Sequence, residues 1–301
     1  MSRFDPIGTF EYVEQQLQYA LWQLEKVMDL DVASYLGPIL PGVDEIFRRT
    51  IKDFDKKRNG LAIVLETDGG MIQTVERLVH IIRHHYEHVV FVVPDRAMSA
   101  GTVFVLSGDA IYMDYYSVLG PIDPQVSGRD GKLVPALGYW KQYQKLLERA
   151  KDPDDPITPT EVNLLIDGFD QAELYSYEMA RELSVDLLKE WLVKYKFKDW
   201  TETETRREPV TAEMKRARAE EIANMLNDTD KWYSHGRGIS MQVLRRDLKL
   251  RIDDFEEDPK LSKAVRKYYD LLVDYRWKRG HQAVIHSSIG YASLFDSLFG
   301  G

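Results

Sequence analysis

Two short, wholly apolar runs, Leu61 to Leu65 and Val89 to Val93, flank a stretch of helical periodicity, and this arrangement restricts the fold more than any other feature of the chain. Each run has the length of a strand, and its uniform apolarity marks a strand covered on both faces. Between them an Asp68-Gly69-Gly70 turn leads into Ile72, Val75, Leu78, Val79 and Ile82, which recur at helical spacing. A helix-length segment from Ser99 to Leu106 then precedes a third short apolar run, Ala110 to Met113. Strands alternating with helices predict a parallel sheet with right-handed crossovers.

On the N-terminal side, Tyr12, Leu17, Ala20, Leu21, Leu24 and Met28 predict an amphipathic opening helix, and Val43 to Phe54 a second one. Residues 120–135 read as loop, being rich in proline and glycine, and Leu137 to Ala150 as helix. Helix is also predicted up to about Tyr195 and over Ala212 to Asn227, with Lys196 to Pro209 as a polar surface insertion. Asp253 to Gly280 reads as a charged, exposed helix, and Ala283 to Phe299 is an unusually apolar tail.

Composition removes several classes of function. The chain has 301 residues and no cysteine, so a disulfide framework, a thiolate nucleophile and a cysteine-ligated metal are all impossible. A net charge of −9 argues against general nucleic-acid binding, which needs a basic face. The longest apolar runs fall far short of the ~20 residues that span a bilayer, and the N-terminus shows no signal-peptide pattern, so a cytoplasmic location is expected.

The chemistry concentrates in two turns. In Ala97-Met98-Ser99-Ala100-Gly101-Thr102 a serine follows a strand and opens a helix. There its hydroxyl is presented beside free backbone N–H groups, with small neighbours that let a carbonyl approach. Alone, such a triplet is an ordinary helix N-cap. In Glu66-Thr67-Asp68-Gly69-Gly70 the glycines permit a positive φ and close backbone approach, and one N–H can point at an oxyanion. Alone, this is a tight strand-to-helix turn. Together, on successive strand ends of one open sheet, they describe a nucleophile beside an oxyanion hole.

At these residues the chain resembles a known group. The run from Leu61 to Gly70 looks like the glycine-rich strand-turn of the Clp protease proteolytic subunit and of signal peptide peptidase A. The stretch from Pro94 through Ser99 to Thr102, then Gly108 to Met113, then Leu119-Gly-Pro-Ile-Asp-Pro-Gln125, is closer to the serine dehydrogenase proteinase family of the same superfamily. The resemblance covers about residues 33 to 252. It implies an α/β, Clp/crotonase-type core of stacked β-β-α units with added helices at both termini. On this reading residues 1–32 are a helical extension, 33–252 the Clp/crotonase-like domain, and 253–301 a charged helix and apolar tail. Members of the family usually carry proline where this chain has Asp68, whose carboxylate is therefore expected to face outward.

The resemblance also implies roles. The Clp subunit uses a Ser-His-Asp triad whose histidine falls near Asp123 here, and no histidine lies between His88 and His235. An unperturbed carboxylate is a poor base for a serine, whereas a desolvated lysine can serve. Lys132, Lys141 and Lys145 are the candidates. The segment Val134 to Lys141 resembles the family segment that carries such a lysine, which favours Lys141. The expected reaction is peptide hydrolysis through an acyl-enzyme on Ser99, with Gly70 and Ala100 as oxyanion donors. Gly69, Asp123 and His235 are expected to line the site; Lys231-Trp-Tyr-Ser-His235 resembles a Lys-Trp-Thr-His segment of the family. No cofactor is required. The partners expected are a peptide or protein substrate and further copies of the chain in a homo-oligomer, without nucleic acid or a membrane span. The rival reading is a non-catalytic scaffold binding peptide in the same groove; a crotonase-like acyl-CoA enzyme is weaker, because it would not need the serine. His80, His84 and His88, spaced by four, read as a solvated helix face.

Overall fold

The computed structural model of the chain describes residues 8–54, 58–123, 125–127, 133–135, 144–152, 154–168, 171–203 and 206–294. In chain order these form α1 (Thr9–Met28), β1 (Asp31–Leu36), α2 (Val43–Lys52), β2 (Leu61–Glu66), α3 (Ile72–His85), β3 (Val89–Val92), β4 (Arg96–Ala97), α4 (Ala100–Val105), β5 (Ala110–Met113), β6 (Val118–Leu119), β7 (Gln125–Ser127) and β8 (Leu133–Pro135). They continue with α5 (Pro159–Gly168), α6 (Gln171–Trp191), which runs into a π-helical turn over Leu192–Lys196, α7 (Ala212–Leu226), α8 (Thr229–Trp232), β9 (Ile239–Ser240), α9 (Met241–Arg246), β10 (Asp253–Asp254), α10 (Pro259–Arg279), β11 (Ala283–Ser287) and β12 (Gly290–Leu294).

The apolar runs become strands for the reason the sequence suggests. Side chains alternate across a strand, so an uninterrupted apolar run feeds two cores at once. Leu61, Ile63 and Leu65 of β2 enter one hydrophobic cluster with Tyr35, Phe91 and the buried faces of α2, α3, α6 and α7. Ala62 and Val64 enter a second cluster on the other side, under α1 and α10. The result is three layers, with a mixed seven-stranded sheet in the middle, ordered β10-β5-β3-β2-β1-β11-β12. Strands β1, β2, β3 and β5 are parallel, as expected, and β10 joins β5 in parallel. A smaller sheet, β4-β6-β9, is built from the segments that follow β3 and β5 and from a later strand, β9, that precedes α9.

Two features depart from expectation, and a third settles where the apolar tail goes. Strand β1, next to the central β2, has no clear apolar run, because Asp31 and Ser34 interrupt it. Both are buried with partners: Asp31 accepts from the Tyr86 hydroxyl (2.6 Å) and the Arg58 N–H (2.8 Å), and the Ser34 and Tyr268 hydroxyls are 2.6 Å apart. The helix expected to be exposed, α10, buries Leu261, Val265, Tyr268, Tyr269, Leu272 and Tyr275 against α1 and the sheet. Its aromatic punctuation is a helical stripe. The apolar tail supplies β11 and β12, and β11 lies antiparallel beside β1 in the chain's own sheet.

Candidate active site

The smaller sheet is what positions the candidate residues. At the end of β2, Thr67 pairs with Ala97 of β4, its N–H donating to the Arg96 carbonyl and its carbonyl accepting from Met98. In β4, Ala97 pairs with Leu119 of β6, which pairs in turn with Ile239 of β9. A row of chain ends therefore runs from Gly69-Gly70, past Ser99, to the segment after Gly120 and the turn before β9.

Ser99 stands between β4 and α4 with φ 52° and ψ −122°. A side chain in this left-handed region is strained by about 1–3 kcal/mol, and such strain persists where the surroundings fix it. Three contacts fix it here. The Gly101 N–H donates to Met98 O and the Thr102 N–H to Ser99 O, which starts α4 immediately after the serine. The Thr102 hydroxyl accepts from the Gly120 N–H (2.9 Å) and lies 2.8 Å from Ala97 O and 2.9 Å from Gly120 O, tying β4, α4 and β6 together. Gly101 packs against the Thr67 methyl, where a Cβ would lie 2.4 Å from it.

The glycine turn closes on the serine from the other side. Gly69 has φ +104°, and its N–H donates to the Thr67 hydroxyl. Its carbonyl accepts from Ile39, and the Met71 N–H donates to Ile39 O, which leaves Gly70 with its N–H on the opposite side. Among the described residues neither the Gly70 N–H nor the Ala100 N–H has an acceptor. Two donors without an acceptor among the described residues thus belong to the turn that packs on the serine and to the residue that follows it.

Asp68 faces outward, as expected: its side chain is 74% exposed and grips Arg96 through two contacts of 2.6 and 3.3 Å. The Arg96 guanidinium holds the Asp68 carboxyl below its usual range. Behind it, buried Glu66 accepts from the Tyr269 hydroxyl (2.7 Å) and from Arg276 (3.4 Å).

On the far side of Ser99, Asp123 and His235 meet, with Oδ1 to Nδ1 at 3.0 Å. The structure therefore brings Gly69, Gly70, Ser99 and Ala100 together, and Asp123 and His235 together. Lys132 and Lys141 lie outside the described residues, and Lys145 is exposed. His80 and His84 are exposed on α3, with His88 exposed beyond its end. Thr67, Arg96 and Thr102 were not anticipated. Thr67 and Thr102 stand within the two motifs and Arg96 beside one of them, but a threonine that braces a turn through its hydroxyl looks in sequence like any other.

A strained serine at a strand-to-helix turn, flanked by unpaired backbone donors, is the arrangement of a hydrolase that works by acyl transfer. The chain belongs to the family of ClpP-like SDH-type serine proteinases, whose description matches residues 42–208, more than half of its length. It is also similar to two uncharacterised proteins of Methanocaldococcus jannaschii. One is 27% identical over 124 residues, covering 40% of this chain and 38% of that one. The other is 34% identical over 135 residues, covering 42% and 45%. The matched stretch thus spans less than half of either relative. Among solved structures, a mutant of the 1510-N membrane-bound stomatin-specific protease aligns with TM-score 0.44 and 14% identity, over 78% of this chain and 83% of that one. ClpP1 from Listeria monocytogenes aligns with TM-score 0.29 and 15% identity, over 42% and 74%. Among the described residues no helix is long and apolar enough to cross a membrane.

Proposed function

We propose that this protein is a serine peptidase in which Ser99 attacks the peptide carbonyl, the Gly70 and Ala100 N–H groups hold the oxyanion, and a lysine, Lys141, takes the serine proton. The observation that carries this reading is the strained Ser99 backbone beside two N–H groups that have no acceptor among the described residues. Donors fixed in advance cost no reorganisation when negative charge develops on the substrate oxygen. The choice of Lys141 over Lys132 rests on the family resemblance of the segment Val134 to Lys141. Peptide as substrate rests on family membership. Assembly into a homo-oligomer rests on the resemblance alone, because the apolar tail is consumed within the chain's own sheet.

Labelling with a fluorophosphonate tests the reading. The wild-type chain should gain one adduct, on Ser99, and Ser99→Ala should gain none. No adduct on a folded wild-type chain would favour the peptide-binding scaffold instead. Light scattering tests the assembly: a mass near the 35.0 kDa of one chain would refute it.

A further inference from the structure

A cleft of about 1090 Å³ opens at the other end of the main sheet from Ser99. His88, Asp109 and Ala110 line it at the starts of β3 and β5, whereas Gly70 and Ser99 follow the ends of β2 and β3. These strands run parallel, so the four residues of β3, ~13 Å of strand, separate the cleft from the candidate active site. A cleft of this volume is large enough for a small organic molecule and far larger than a lone ion needs.

One wall is built by the end of α6. Its π-helical turn is closed by the Phe197 N–H on the Leu192 carbonyl (2.8 Å). Such turns are rare and recur at binding and catalytic sites, because the extra residue re-aims the side chains around it. Here Tyr195 lies under the Arg83 guanidinium, 3.7 Å from its ring centre, and Lys196 lines the cleft. The Lys196 ammonium donates to the Asp109 carbonyl at 3.4 Å and forms no ion pair among the described residues. Burial pushes its pKa down from 10.5 to about 8, so at neutral pH it is still mostly charged yet poorly solvated. A cation held in this way is costly unless an anion joins it. The acidic groups of the cleft do not supply one. The Asp109 carboxylate is taken by Arg83 (2.8 Å), Lys198 (2.5 Å) and the Val89 N–H (2.7 Å). Asp253 faces Arg251 (3.6 Å), Asp258 accepts from the Lys260 N–H at the start of α10 (2.8 Å), and Asp199 and Glu202 are exposed. Leu30, Val90, Tyr112, Phe197, Trp200 and Leu261 give the rest of the lining an apolar and aromatic character.

We infer that this cleft is a binding site for a small organic carboxylate, whose apolar body lies against Tyr112, Phe197 and Trp200 and whose negative charge meets Lys196. One ammonium without an ion-pair partner matches one negative charge, which favours a carboxylate over a phosphate dianion. The site is separate from the acyl-transfer site and does not depend on Ser99 being a nucleophile.

Calorimetric titration of the full chain with naphthaleneacetate and with its neutral isostere naphthaleneacetamide tests the inference. The carboxylate should bind at a single site per chain and about 10- to 100-fold more tightly than the amide, the worth of a charge-assisted hydrogen bond in a poorly solvated site. Lys196→Met keeps the apolar stem and removes the charge. It should abolish the preference for the carboxylate and leave the amide within a few-fold of its wild-type affinity. Ser99→Ala should bind naphthaleneacetate as the wild type does. Equal affinities for the two probes in the wild type, or no binding of naphthaleneacetate up to about 5 mM, would overturn the proposal without any variant having to fold. Undiminished binding in Lys196→Met, or lost binding in Ser99→Ala, would put the carboxylate elsewhere and overturn it as well. Tighter binding of naphthyl phosphate than of naphthaleneacetate would overturn the choice of a carboxylate.

Discussion

Gly69 packs so tightly against Ser99 that a Cβ on the glycine would lie 2.8 Å from the serine Cβ and 2.9 Å from the Met98 carbonyl oxygen. The two turns that carry the candidate chemistry are therefore one packed unit, and the glycine is required by space as well as by its φ of +104°. Gly69→Ala should destabilise the fold by about 1–3 kcal/mol, because a Cβ is strained at that φ and has nowhere to go. It should also slow fluorophosphonate labelling of Ser99 at least ~10-fold, since a shift of about 1 Å spoils the geometry of attack. Thermal unfolding and labelling rate, measured together, check this; labelling at the wild-type rate would mean the turn absorbs the methyl without moving the serine.

Ser99 stores strain that the candidate chemistry explains and folding does not. Ser99→Ala removes the hydroxyl and keeps the strain, whereas Ser99→Gly removes both. Both variants should lose peptide hydrolysis. Ser99→Gly should be the more stable by about 1 kcal/mol, the relief of strain being partly offset by the freer unfolded chain. Equal unfolding midpoints would mean that the backbone at residue 99 is relaxed.

The base is tested by exchange of lysines. Lys141→Ala should abolish peptide hydrolysis, and Lys132→Ala should leave it within a few-fold. Activity of the wild-type chain should rise with pH through an apparent pKa well below the ~10.4 of a free lysine. The reverse result in the two variants would transfer the role to Lys132.

The strands that were legible in sequence are those that carry an uninterrupted apolar run: β2 up to Leu65, β3, and β5, whose two faces are not equally buried. β1 was not, because its buried polar groups find partners far along the chain, Ser34 at Tyr268 and Asp31 at Tyr86. Long-range satisfaction of this kind leaves no local period to read. The same limit hid β11, whose polar His286 and Ser287 are fully buried in the sheet. At the candidate site the two motifs were legible, since glycine and small residues have few reasons to stand beside a serine at successive strand ends. Asp123 and His235 were each noticed, but their meeting was not, because 112 residues separate them and only the β6–β9 ladder joins them.

His286 should make the fold acid-sensitive in a defined window. It is 1% exposed, bonded at Nδ1 to the Tyr268 hydroxyl (2.7 Å), and burial pushes its pKa down from 6.5 to about 3. Between those values the unfolded chain binds one proton more than the folded chain, so stability is full above pH 6.5 and falls as pH drops toward 3. By about pH 4.5 the loss from this residue is on the order of 2–3 kcal/mol. The variant His286→Gln cannot titrate there, so its stability should fall less steeply over the same range while the carboxylates contribute equally to both. Denaturant unfolding at several pH values measures the difference; parallel curves would show that the imidazole is not held neutral.

The C-terminal hairpin gives the last prediction, and it separates two roles for an apolar tail. As a contact between copies, removal of the residues after Gly280 would weaken an assembly and leave a folded subunit. The hairpin instead completes the sheet. β11 pairs with β1 from Ala33–Ser287 to Leu36–Val284 and covers the edge of the central parallel strands. Gly37 is shaped to it, since a Cβ there would lie 2.5 Å from the Ala283 Cβ. Gln18 of α1 donates to Ser287 O (2.9 Å), and Tyr268 of α10 meets His286, so both helices of that layer rest on it. Val284, Ile285 and Leu294 are buried, each contributing about 1.5–3 kcal/mol. Their sum is comparable with the ~5–15 kcal/mol by which a whole domain is stable. Truncation after Gly280 should therefore yield an unfolded or aggregated chain, with the β1 edge and the second core open to water. Soluble yield and far-ultraviolet circular dichroism decide the matter: a soluble truncated chain with native ellipticity would show that the sheet stands without β11 and β12.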